Sequence, residues 1–160
     1  LRLSYHDKKA IKETDFFGLN YYSHVNLKFQ LHNHEFFINT YPKNDTMTDM
    51  PYTIYPEGLY RAIDRVSQIG KPIIITENGI ADSKDDRRGL FIKRYLYAVN
   101  KAILKGKDVR GYFYWSLMDN FEWAEGYDMK FGLYEVDFNT QKRTLRKGSK
   151  EFVKIVNESN

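Results

Sequence analysis

Ile73-Ile74-Ile75-Thr76 is a β-branched run too short for a helix, bounded by Pro72 before it and by Glu77-Asn78-Gly79 after it. A strand with no polar face must be covered on both sides, and the flanking sequence supplies the cover. Upstream, Pro56 opens a helical stripe of Leu59, Ala62, Ile63, Val66 and Ile69 that stops at Gly70. Downstream, Phe91, Tyr95, Ala98, Val99, Ala102 and Ile103 repeat that stripe as far as Gly106. Two further apolar and aromatic runs, Phe16 to Tyr22 and Val109 to Trp115, are expected to be strands, the first buried on both faces. A last helix is expected from Ser149, as its cap, through Phe152, Val153 and Val156. Within the long excursion from Ser23 to Tyr55, Val25–Phe29 and Glu35–Ile38 are expected to pair across His32-Asn33-His34.

Strand and helix alternating three times imply parallel strands joined by helical crossovers, which both a doubly wound sheet and a (β/α)8 barrel satisfy. No Gly-x-Gly-x-x-Gly and no Gly-Lys-Ser/Thr follows a strand, so no phosphate cradle is visible and the barrel is the working fold. A complete barrel takes about 200 to more than 400 residues. These 160 residues supply three units, without repeats or linkers, and are expected to form one partial domain over 1–160. With 42% hydrophobic and 16% aromatic residues the chain can bury a core. Its net charge of +4 is spread among interspersed signs, which argues against a nucleic-acid partner, and no apolar stretch approaches a membrane span. The absence of cysteine excludes disulfides, thiol nucleophiles and thiolate metal sites. A cytoplasmic location is the expectation, with secretion left open.

In a barrel the reacting groups sit where the strands end at their C-terminal side. Those ends carry Asn20 with Tyr22, then Glu77, then Trp115 and the loop beyond it. By itself Glu77 reads more readily as the solvated flank of an Asn-Gly turn. The loop Asp119-Asn120-Phe121-Glu122-Trp123-Ala124-Glu125-Gly126-Tyr127 interleaves carboxylates with aromatic rings. That mixture suits a sugar, whose C–H faces stack on indoles and whose hydroxyls donate to carboxylates, and it equally suits packing at a barrel rim.

Four motifs, in order, break the tie. They are Asp15-Phe16-Phe17-Gly18-Leu19-Asn20-Tyr21-Tyr22, Tyr55-Pro56-Glu57-Gly58-Leu59, Ile75-Thr76-Glu77-Asn78-Gly79, and Tyr114 to Trp123 continued by Glu125-Gly126-Tyr127 and Phe131-Gly132-Leu133. Through them the chain resembles the C-terminal portion, about strands six to eight, of glycoside hydrolase family 1, the retaining β-glucosidases and β-galactosidases with a TIM-barrel fold. The resemblance implies that Glu77 is the nucleophile and that Tyr22 donates a hydrogen bond to it. It implies Asn20 as a polar contact, Trp115 as the platform under the sugar and Glu122 as the carboxylate on the hydroxyls of carbons four and six. Trp123 would be an indole donor, Phe131 would line the pocket, and the Trp115-Ser116 peptide would be cis. No metal and no cofactor is implied.

The second carboxyl of a retaining site, which in this family comes from a Thr-x-Asn-Glu-Pro motif, has no counterpart here, because no Asn-Glu-Pro occurs. His6, His24, His32 and His34 match none of the family's upstream sugar contacts and read as solvated or structural. The expectation is a β-glycosidase for unphosphorylated β-D-glucosides or β-galactosides, with the N-terminal portion of the same barrel as a tightly bound partner. Its rivals are a non-catalytic sugar-binding protein and a self-assembling scaffold of the same fold, and Glu at position 77 favours the enzyme.

Overall fold

The computed structural model describes residues 8–32, 35–39 and 47–158. In chain order the elements are α1 (Lys8–Glu13), β1 (Phe17–Asn20), β2 (Leu27–His32), β3 (Glu35–Asn39), α2 (Pro56–Ser67), β4 (Ile73–Asn78), α3 (Arg88–Leu104), β5 (Val109–Tyr114), β6 (Tyr134–Val136), β7 (Arg143–Leu145) and α4 (Lys150–Glu158). Strands β1, β4 and β5 form one parallel sheet in the order β1-β4-β5. Three strand–helix units therefore follow one another as the periodicity requires.

The core lies on the helical side of this sheet. Ile73 and Ile75 of β4 pack with Leu59 and Ile63 of α2 and with Phe91, Ile92, Tyr95, Val99 and Ala102 of α3. The Phe91 and Tyr95 rings stack at 4.0 Å. Phe152 and Ile155 lay α4 against the same cluster. The opposite face is open, as in a barrel of which only three strands are present: Phe16 is 46% and Phe113 62% exposed. Strand β1 consequently alternates half-buried and exposed residues instead of being buried on both faces, since β4 is its only sheet partner among the described residues.

Several boundaries differ from the sequence reading for identifiable reasons. Strand β4 does not stop at Thr76 but runs through Glu77 to Asn78, with irregular register against both neighbours at this end. Ser149 precedes α4, but its buried hydroxyl has no hydrogen-bond partner among the described residues; its carbonyl accepts from Phe152 and Val153 instead. The β2–β3 hairpin is present and antiparallel, whereas residues 33 and 34 of its turn lie outside the described residues, as does His6. The β6–β7 hairpin carries no period-2 run long enough to read in advance. Among the described residues no helix is long and apolar enough to cross a membrane.

Candidate active site

At the C-terminal end of the sheet the chain leaves β1 as Tyr21-Tyr22, with the Tyr21 N–H donating to the Glu77 carbonyl at 2.9 Å. That contact carries the ladder one residue beyond β1 and leaves Tyr22 beside the end of β4. The Tyr22 hydroxyl donates to Glu77 Oε2 at 2.8 Å. Burial, then the bond to Glu77 and the negative charges of Glu77 and Glu122, push this phenol well above the usual tyrosine value. It therefore stays protonated and acts as a donor, not as a base. Glu122 thus joins the same electrostatic neighbourhood although it lies in a loop far along the chain.

The walls around this pair come from several elements. Phe131, buried, meets the Tyr22 ring edge-on with centroids 6.2 Å apart. Tyr95 of α3 reaches beneath, accepting the Tyr55 N–H at 2.8 Å and donating to the Tyr22 carbonyl at 3.4 Å. Asn20 Oδ1 accepts the Thr76 hydroxyl at 2.6 Å, which fixes its amide across the β1–β4 ladder. Trp115 follows β5, half-buried, with its N–H on the Asn78 carbonyl at 3.0 Å and a cis peptide to Ser116. A Cβ at Gly79 would fall 1.8 Å from the Trp115 carbonyl oxygen, so only glycine allows the two strand ends this close.

Glu77, Tyr22, Asn20 and Phe131 are thus brought together, with Trp115 on the adjoining strand end and Glu122 within electrostatic reach. Trp123 is not. It is 83% exposed at the start of a short 3-10 turn (Trp123–Glu125). Asp119, one of the interleaved carboxylates, is buried and accepts the Gly132 and Val136 N–H groups and Arg146 at 2.7 Å, a structural role. His24 is likewise structural, bonded to Asn26 and Thr53 and packed on Tyr55 at 4.3 Å. The sequence reading missed Tyr52, whose ring lies 6.3 Å from that of Tyr22. It sits in the long excursion, where no periodicity marks a wall residue.

Sequence reasoning also missed Arg88, fully buried at the start of α3. Its guanidinium donates to the carbonyls of Ile80, Asp82, Lys130 and Phe131, to the Tyr114 hydroxyl and to the Asp85 carboxylate, at 2.8–3.1 Å. One cation thereby binds the loop after β4, the end of β5 and the segment carrying Phe131. Asp82, also buried, accepts the N–H groups of Arg87 and Arg88 and so caps α3 from outside the helix.

The model of Glycosyl hydrolase family 1 matches residues 1–160. A β-galactosidase of Pyrococcus woesei is 37% identical over 160 residues, covering 89% of this chain and 31% of the relative. A 6-phospho-β-galactosidase of Streptococcus mutans is 42% identical over 125 residues, covering 71% and 27%. Among solved structures, a β-glycosidase from Pyrococcus horikoshii superimposes with a TM-score of 0.77 at 44% identity, over 86% of this chain and 33% of that one. The chain thus spans about a third of the length of such relatives.

Proposed function

The chain belongs to glycosyl hydrolase family 1, and from that premise we propose that it is the nucleophile-bearing part of a retaining β-glycosidase acting on unphosphorylated β-D-glucosides or β-galactosides. The observation that carries this reading is the 2.8 Å hydrogen bond from Tyr22 to Glu77 at the C-terminal end of the sheet. A carboxylate that accepts a bond from a phenol held protonated is fixed in orientation, as in-line attack on an anomeric carbon requires. Glu77 forms the bond to that carbon as the glycosidic bond breaks, and water later cleaves the glycosyl ester. Proton donation to the leaving oxygen is left to a carboxyl on the N-terminal portion of the barrel, because no residue of this chain stands in an Asn-Glu-Pro motif. Asn20, Trp115, Glu122 and Phe131 are the sugar contacts; Trp123 joins them if its turn closes over bound substrate.

The test is mechanism-based labelling of the completed barrel. A 2-fluoro glycoside with a good leaving group is expected to esterify Glu77, found by peptide mass mapping, and Glu77→Gln to abolish both label and turnover while leaving the melting temperature nearly unchanged. Label confined to another residue would refute the assignment.

A further inference from the structure

We propose that Asn78 is a positioning residue for the nucleophile: its buried carboxamide ties the ends of β1 and β5 to the end of β4 and so sets where Tyr22 meets Glu77. The inference rests on the glycosidase reading above and extends it to a residue that touches no substrate. An Asn-Gly pair after a strand reads as an exposed turn, yet Asn78 is 0% exposed and still within β4.

Its bonds run to both neighbours. Nδ2 donates to the Tyr21 carbonyl at 2.6 Å, Oδ1 accepts the Tyr112 hydroxyl at 2.7 Å, and the main-chain carbonyl accepts the Trp115 N–H at 3.0 Å. With the Tyr21 N–H already on the Glu77 carbonyl, Tyr21 is held at both its main-chain polar groups by residues 77 and 78. Tyr22 is the next residue, so its phenol starts from a fixed backbone. Asn78 itself follows Glu77, and two of its three partners are, or directly adjoin, a residue assigned to the site: Tyr21 precedes Tyr22 and Trp115 bonds directly, while Tyr112 anchors the carboxamide on β5.

Only a carboxamide fits the arrangement. The side chain must donate on one side and accept on the other from a short, stiff stem. The Tyr112 phenol, raised by burial and so protonated, supplies the donor that commits Oδ1 as acceptor and leaves Nδ2 for Tyr21. Aspartate has the same shape but would set an oxygen against the Tyr21 carbonyl. The register irregularity on both sides of this strand end is what frees the two residues from simple alternation, a usual means of re-aiming side chains beside active sites.

The experiment compares wild type, Asn78→Asp and Tyr112→Phe in the completed barrel, with active sites counted by stoichiometric 2-fluoro glycoside labelling. Misplacement lowers kcat per labelled site about 10²-fold for Asn78→Asp and about ten-fold for Tyr112→Phe, with KM within about three-fold of wild type. Fewer labelled sites, each turning over at the wild-type rate, would mean a purely structural role and overturn the proposal. Should Asn78→Asp not fold, Tyr112→Phe, which removes one hydroxyl, decides by the same measure. Absence of label on Glu77 in wild type would instead refute the glycosidase reading.

Discussion

Two carboxylates act on one phenol at the mouth of the sheet, and their division of labour follows from contact. Glu77 accepts the Tyr22 hydroxyl, whereas Glu122 acts on it only through its charge. That charge bears on substrate choice, since a family relative is a 6-phospho-β-galactosidase. A sugar phosphate brings about −1.5 to −2 charges at neutral pH. Lys130, the nearest cation in sequence, is engaged elsewhere, donating to the Tyr127 carbonyl at 2.8 Å and lying 5.3 Å from the Phe138 ring centre. The completed enzyme is expected to show a kcat/KM for a β-glucoside at least about ten-fold above that for the 6-phosphate, and Glu122→Ser to narrow the gap. Equal use of both sugars by the wild type would remove Glu122 from the hydroxyl-binding role. At this scale the motif residues were legible in the sequence, but not all their surroundings. Trp123, read as an indole donor, stands in solvent, 83% exposed.

Helix α3 links the core to the site at element scale. Most of its stripe was legible: Phe91, Tyr95, Ala98, Val99 and Ala102 are buried as expected, whereas Ile103 is 45% exposed and Ile92, outside the stripe as read, is buried. Its first turn was not, because Arg88 and Asp82 look like members of a solvated charged loop until the fold surrounds them with carbonyls. A buried guanidinium with six acceptors is held by geometry, and removing it takes a donor from the Asp85 carboxylate and from five other oxygens. Arg88→Met is expected to cost about 3–5 kcal/mol of stability, measured by urea unfolding of the completed protein. Because the same cation holds the Phe131 carbonyl, the variant should also lose activity at temperatures where it remains folded. A stability change within about 0.5 kcal/mol, as for ordinary surface sites, would show the cluster to be dispensable.

For the whole molecule, the decisive feature is an open sheet. Strands β1 and β5 each pair only with β4 among the described residues, and Phe113 and Phe16 present apolar surface on the uncovered face. Such edges and faces ask for a complement. The 160-residue chain alone is expected to give no measurable nucleophile-dependent hydrolysis of an unactivated disaccharide, since proton donation alone contributes about 10²–10⁴-fold. Addition of a chain carrying the early strands should restore turnover, followed by product release and by co-elution in size exclusion. Full activity of the isolated chain would show that the general acid lies within it.

The alternation of strands and helices, the core stripes and the strand-end residues Asn20, Tyr22, Glu77 and Trp115 were determined by sequence alone. They depend on periods of two and 3.6 residues and on motifs that are contiguous in the chain. The tertiary structure decided what depends on partners distant in sequence. It turned Asn78 from a turn residue into a buried staple, made Asp119, one of the loop's interleaved carboxylates, half of an ion pair with Arg146, and made Arg88 a buried hub. Each is polar, and a polar residue takes its role from the donors and acceptors that folding brings to it. No local pattern records them.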